Sequence, residues 1–523
     1  MKLPLALLLF FSWLAHSHAA TYYVSNSGSD SNAGTSSSSP WKTIAKVNSA
    51  SEASGSTVLF LSTGTWHEQL TAKAGVTYGS YGGSSACSLS SALVATCTDM
   101  PVIDGADVVT GWSVYSGSTY RAPYAYTATK GFVDAVYQQT TPLTLETSTR
   151  GVENTAGSLY SKGGYVYVHL SNGSNPSSHT IEICGSRAYG ISIGNVSNVT
   201  ISGLEIIRTT KAGIDVNNAT ANSITVENNV FFNYGDTLGD SSTGLGSGNG
   251  GEGAIFVFPT YEAVVTGWVI EKNVVGQSDF TSSVFNYNQA GIQLYSSSGS
   301  TISGNSIASV HGTGLQVTDG YGSTCSSPLI ENNVFANSQG NIFIVGCSSV
   351  SIVSNTVSNS YGNGIEIGGA FQTSDENNNK PYIAYNVIHN MSPAYSDGLY
   401  NGIDVNHATN GTAIDNNIYA VLQACMTLES DTGASSGWTV NNNTFNASQN
   451  LAYNGAKPAG TAVATPFYIT NISLAGGITM SDNVMTVNSL TPWILWGATS
   501  PQDSTHYITL ATFEAEYPSF DTQ

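Results

Sequence analysis

Short runs along this chain place apolar residues at every second position, and each run then gives way to a polar turn. Gly213-Ile-Asp-Val216 and Gly402-Ile-Asp-Val405 are two such runs. Each leads to a second apolar pair, an Asn and a third apolar pair. In the first case this reads Ile224-Thr-Val226-Glu-Asn-Asn229-Val-Phe231, and in the second Ile414-Asp-Asn-Asn417-Ile-Tyr419. A period of two is strand periodicity, and no helical segment of about ten residues recurs. Val, Ile, Phe and Thr fill the runs, as strands prefer. The marked Asn falls at Asn229, Asn273, Asn305, Asn333, Asn355, Asn386, Asn417, Asn443 and Asn483, at spacings of 22 to 44 residues. A shortest period of 22 with long additions on some turns predicts a solenoid with loops added to particular coils. One Asn per coil at one bend predicts a stacked amide ladder, which is scaffold rather than chemistry.

The ends of the chain differ from this pattern. Residues 1–19 read as a signal peptide: Lys2, an apolar stretch, then Ser17-x-Ala19. Trp41, Ile44, Ala45 and Val47 have helical spacing and predict a helix over the open end of the first coil. Residues 110–183 break the repeat. They are rich in Tyr, contain the alternating Tyr165-Val-Tyr-Val-His169 and turn at Asn172-Gly173, which predicts a small antiparallel β insertion. The expected layout is a signal peptide (1–19), an N-terminal cap with the first coils (20–109), the insertion (110–183), the core (184–487) and a C-terminal cap (488–523). Two loops, 235–253 and 371–381, are long enough to suggest function.

The helix at 41–47, the strand at 57–61, Gly64-Thr65-Trp66 and Val102-Ile-Asp-Gly105 resemble the entry of secreted right-handed parallel β-helix proteins, the pectin-lyase-like superfamily. The resemblance implies an all-β, three-sheet right-handed parallel β-helix with an N-terminal helical cap. It implies that the Asn ladder turns between the second and third sheets. Gly-Ile-x-Val then lies on the first sheet, which forms the floor of a substrate groove in that superfamily. It specifies a fold and not a reaction. The motif set of polygalacturonase-type hydrolases (Asn-Thr-Asp, Asp-Asp, Gly-His-Gly, Arg-Ile-Lys) is not present in full, and neither is the Tyr-Gly-Phe-Asp-Pro-His of alginate epimerases.

Composition narrows the partners. Of 523 residues only 14 are Lys or Arg against 34 Asp or Glu, a formal charge of −20. That argues against nucleic acid and against an anionic membrane surface. Past the leader no apolar run reaches spanning length, so no membrane span is expected. An exported chain, extracellular or periplasmic, permits disulfides. Cys87 and Cys97 flank a short loop and are expected to pair. Cys325 and Cys347 stand one minimal coil apart and are expected to bond across adjacent coils. Cys184 and Cys425 are expected as buried thiols. A monomer acting on an extracellular polysaccharide is expected.

In Gly-Ile-x-Val the apolar residues face inward, so x faces out. Coil by coil, x is Ser192, Asp215, Phe256, Gln293, Gln316, Phe343, Glu366, Asp404 and Thr427. Phe256 and Phe343 could stack on sugar rings, and Gln293 and Gln316 could bond hydroxyls. Glu366 and Asp404 fall on neighbouring coils, close enough for paired-carboxylate chemistry, with Asp215 assisting. His311 and His407 flank the row as candidate proton carriers. The reading that follows is a glycoside hydrolase. An alternative is a polysaccharide lyase, in which Arg208 or Lys211, just before the Asp215 strand, takes a proton and Ca²⁺ neutralises a uronate. In the superfamily's lyases that base is Arg or Lys, and here Arg187, Arg208, Lys211, Lys272 and Lys380 are among the basic residues within the coils. A third reading is a carbohydrate-binding surface protein with no catalysis. No resident cofactor is required, Ca²⁺ remains possible, and the identity of any metal is left unknown.

Overall fold

A computed structural model describes residues 19–83, 86–89, 95–134, 142–235, 252–276, 289–310, 312–319, 324–338, 340–368, 378–391, 401–406, 408–421, 424–429, 435–447, 465–469, 477–486, 494–496 and 507–508. Most of their strands lie on three long sheets of 13, 12 and 13 strands. One coil shows the plan. Ala212–Asn217 lies on the first sheet, Ile224–Glu227 on the second and Val230–Phe232 on the third, and Glu252–Phe258 returns to the first. Each strand pairs in parallel with its counterpart on the next coil, Ile214 with Ile255 and Val226 with Ile270. Ile191, Ile214, Ile255, Ile292, Leu315, Ile342, Ile365 and Ile403 are all buried in one continuous core. The period-two pattern thus puts one column of side chains inside and the next outside.

The bend between the second and third sheets is two residues long. Its first residue has left-handed backbone, as at Asn228 (φ 56°), Asn332 (φ 55°) and Asn442 (φ 55°), which reverses the chain in so short a space. Its second is the ladder Asn. Asn305 Nδ2 donates to Asn333 Oδ1 at 3.0 Å, and Asn333 Nδ2 donates to Asn355 Oδ1 at 3.0 Å. Each rung also receives a backbone N–H and donates to a backbone carbonyl, so buried amides are satisfied inside the wall. One position is corrected. The ladder runs Asn386–Asn416–Asn443, not through Asn417. Asp415 carries the left-handed turn (φ 54°), so the inward amide is the residue after it, and Asn417 opens the third-sheet strand with its side chain exposed. At the start of the column Leu204 stands where the Asn would be, and its N–H donates to Asn229 Oδ1 at 3.0 Å.

The helix Ile44–Ser49 buries Ile44 and Val47 in that core and is capped by the Thr43 hydroxyl. Residues 106–184 leave the solenoid. Strands at 106–109, 130–133 and 181–184 form an antiparallel trio, and those at 113–116, 119–123, 144–145, 158–162 and 165–169 form a five-stranded sheet with a separate core. Cys325 and Cys347 form a disulfide between adjacent coils, with Cα atoms 4.5 Å apart. Cys184 and Cys425 are buried free thiols. Cys87 and Cys97 are opposite one another on two antiparallel strands, and their side chains lie outside what is described. Most of the loops 235–253 and 371–381 and most of the C-terminal tail also lie outside the described residues. Among the described residues no helix is long and apolar enough to cross a membrane.

Candidate active site

The outward column of the first sheet is continuous. Register pairs Ser192 with Asp215, Asp215 with Phe256, Phe256 with Gln293, Gln293 with Gln316 and Gln316 with Phe343. It then pairs Phe343 with Glu366, Glu366 with Asp404 and Asp404 with Thr427. Side chains on successive rungs of a parallel sheet stand about 4.8 Å apart.

Glu366 and Asp404 are therefore neighbours on one face. Asn363 lies between them: its Nδ2 donates to Glu366 Oε2 at 3.2 Å and to Asp404 Oδ2 at 2.9 Å. Two bonds leaving one amide nitrogen about 120° apart put the two oxygens about 5 Å from each other. The amide cannot turn over, because Asn363 Oδ1 accepts from the N–H of Asn401 at 3.0 Å. Asn401 in turn accepts from the N–H of Ala424 at 3.1 Å. The Thr427 hydroxyl donates to Asp404 Oδ1. Burial and the charge of Asp404 push Glu366 up to about 8, against a smaller opposing effect of the Asn363 bond. Asp404 is 3% exposed, and Glu366 keeps more of its surface accessible. Asn406, two residues beyond Asp404 and on the same side, is buried with no donor to its Oδ1.

Asn363, Asn401 and Asn406 are absent from the sequence-based candidates, although a signal was present. Asn363-Gly-Ile-Glu366 and Asn401-Gly-Ile-Asp404 repeat one motif, and in the other coils the residue three before x is Tyr, Ala, Gly or Thr. Glycine at the second motif position is a packing requirement. A Cβ on Gly364 would lie 2.6 Å from the carbonyl oxygen of Gly402.

Asp215 occupies the same column but not the same site. Five rungs separate it from Glu366, about 24 Å. It therefore cannot act together with Glu366 and Asp404, which corrects that expectation. Burial pushes its carboxyl up to about 7, against the nearby charge of Lys211. Phe256 is also not a free platform. It is 3% exposed, lies parallel to Phe258 at 6.3 Å and meets Tyr295 edge-on at 6.2 Å. Gln293 donates to Gln316 Oε1 at 2.9 Å and to the Tyr295 hydroxyl at 3.0 Å. Phe343 is half-buried.

Arg208 faces away from this row. Its guanidinium is bonded to Asp104 and Glu182 and is 5.6 Å from the centre of the Phe132 ring. The two carboxylates hold it above its ordinary value despite its burial, so it cannot supply a free base, a correction to its place in the lyase reading. His311 and His407 lie outside the described residues. Among the described residues, one group has the spacing of a metal site: His67, Asp104 and Glu182. Arg208 already occupies both carboxylates, and His67 Nδ1 is 2.8 Å from the Ala106 carbonyl, so the donor set does not fit a cation.

Residues 266–380 match the family described as the right-handed β-helix region. The coils are therefore those of a right-handed parallel β-helix. Among solved structures, the chain is similar to one described as a glycoside hydrolase, with 11% identity, a TM-score of 0.48, and 90% of this chain and 96% of that chain covered. It is similar to XylC in complex with xylose, with 12% identity, a TM-score of 0.47 and coverage of 91% and 85%. It is also similar to the polygalacturonase of Erwinia carotovora ssp. carotovora, with 12% identity, a TM-score of 0.40 and coverage of 92% and 97%. At such identities the likeness concerns the path of the chain and not its chemistry. No curated protein matches the sequence.

Proposed function

We propose that this protein is a glycoside hydrolase acting on a neutral or weakly charged glycan outside the cytoplasm. One observation carries the reading: two carboxylates on adjacent rungs share a single amide nitrogen, and one of them is held protonated near neutral pH. Glu366 acts as the general acid and gives its proton to the leaving glycosidic oxygen. Asp404, with the Asn363 and Thr427 donors aimed at it, acts with its charge on the anomeric carbon. A separation of about 5 Å suits direct attack by Asp404 and retention of configuration, since an inverting pair leaves room for a water at about 6.5–9.5 Å. Glu366 then takes a proton from the incoming water.

The scarcity of basic residues and the engagement of Arg208 favour hydrolysis over β-elimination. The reading is tested by incubating the full chain with a glycan panel and measuring both reducing ends and absorbance in the unsaturated-uronate band. Reducing ends alone support hydrolysis, and both signals together identify a lyase. Binding with neither signal leaves a carbohydrate-binding protein. Full activity in Glu366→Gln and Asp404→Asn would remove the pair from the mechanism.

A further inference from the structure

Acceptors on the first sheet that are buried without a donor include Asp215 Oδ1, Gln293 Oε1 and Asn406 Oδ1. Buried polar atoms normally find partners, so an orphan marks a place where something else donates. Asn406 belongs to the Glu366–Asp404 site. Asp215 does not, for it lies about 24 Å away along the column. It also differs from a structural acid of this molecule. Asp104 is fully buried, and both its oxygens are occupied by Arg208 and by the N–H of Ala106. Asp215 is 4% exposed, and its Oδ1 is buried without a hydrogen-bond partner.

The groups around Asp215 define what it would take. Tyr189, on the preceding coil, is raised above its ordinary value by burial and then by the charge of Asp215, and its hydroxyl bonds Asn217. Lys211 is near enough to act on Asp215 electrostatically. Ser192 and Phe256 occupy the adjacent rungs. A buried acceptor oxygen with no partner requires a donor. A phenol, an amide and an ammonium beside it offer further hydrogen bonds of both kinds. A neutral ligand dense in hydroxyl groups fits that set.

We propose that Asp215, with Tyr189, Asn217 and Lys211, forms a second carbohydrate subsite in which Asp215 accepts from a hydroxyl of a sugar several units away from the bond that reacts. This rests on the reading that the column takes a glycan. A pyranose advances a chain by roughly one rung spacing, so a glycan of about five or six units reaches from Glu366 to Asp215.

The test uses the full chain carrying Glu366→Gln, in which turnover is expected to be slow enough for binding to be measured. Xylo-, cello- and galacto-oligosaccharides from disaccharide to octasaccharide are titrated by calorimetry. Affinity is expected to step upward between the tetrasaccharide and the hexasaccharide. Adding Asp215→Ala should remove the step and cost about tenfold or more in hexasaccharide affinity. Tyr189→Phe should cost less, in the same direction. If Asp215→Ala does not fold, as judged by circular dichroism, the similarly shaped Asp215→Leu, which has no acceptor, carries the test. A step that survives these changes overturns the subsite, and so does a parent that shows no step or binds none of the ladders. The parent without Glu366→Gln is assayed for hydrolysis in parallel. Hydrolysis without a step removes the subsite alone, and a step without hydrolysis removes the proposed reaction alone.

Discussion

Glu366 and Asp404 hold the same position on successive coils, and one nitrogen, Asn363 Nδ2, bonds both carboxyl groups. Two acids so placed resist being ionised together, and burial adds to that resistance. Glu366 therefore keeps its proton to about pH 8. An acid catalyst works only while protonated, so kcat/KM should fall as pH rises through about 8. A pH–rate profile on any cleaved glycan checks this. Glu366→Gln should lower turnover about 10²- to 10⁴-fold and abolish the alkaline limb. A limb that stays in place in Glu366→Gln would assign it to another group.

Asn363 bonds both acids yet cannot itself exchange a proton at these pH values. It positions, and it also opposes the upward shift of Glu366. Asn363→Ala should move the alkaline limb to higher pH while lowering turnover by about tenfold. The direction of the limb is the informative readout. A substitution that only loosened the coil would lower the rate at every pH without moving the profile.

The ladder offers a test of register with two adjacent residues of one type. Asn416 accepts from the N–H of Asn386 at 3.0 Å and donates to the Ile383 carbonyl at 2.9 Å and to Asn443 at 2.9 Å. Asn416→Ala leaves those buried groups unpaired and should cost about 1–3 kcal/mol. Asn417→Ala touches an exposed side chain and should cost less than about 0.5 kcal/mol. Urea denaturation of the two variants separates them. Equal losses would return the ladder to Asn417.

That contrast shows what the sequence could carry. Period-two runs and the Asn column are local, so the inward residues and the outward column of the first sheet from Ser192 to Thr427 were legible, while the rungs at Tyr468 and Leu495 were not. The Asn416/Asn417 choice was not, because Asp415, Asn416 and Asn417 are all compatible with a bend and the backbone angle at Asp415 decides. Adjacency of Glu366 and Asp404 followed from counting coils. The relation of Asp215 to them required the same counting carried five rungs further, where shared chemistry becomes shared architecture only. Phe256 read as a sugar platform because the x row leaves out its cover: Phe258 stands two residues on along the same strand, and Tyr295 two beyond Gln293 on the next. Arg208 read as a groove residue because its partners, Asp104 and Glu182, are distant in sequence. Contacts of that range leave no trace in a pattern read along the chain.

Arg208 itself separates a structural role from a catalytic one. Its guanidinium is almost fully buried and bonded to Asp104 and Glu182. Asp104 is on the third-sheet strand at 102–104, and Glu182 is on the antiparallel trio that joins the insertion to the coils. Arg208→Met keeps much of the volume but removes the charge that both acids face. Removing one partner from a buried ion cluster costs about 3–5 kcal/mol. The loss should depend on pH with a definite sign. Burial already raises Glu182 against the charge of Arg208, and without Arg208 its folded-state value lies further above its unfolded one. Stability is then retained in acid, where Glu182 is protonated in the folded and unfolded chain, and is lost progressively as pH rises toward neutrality. Thermal melts of Arg208→Met and the parent at pH values between about 5 and 8 should diverge upward in pH. Activity per folded molecule should stay within about twofold of the parent at acidic pH, where the variant remains folded. A lyase base would give the opposite pair of results, with stability preserved across the range and activity gone at every pH.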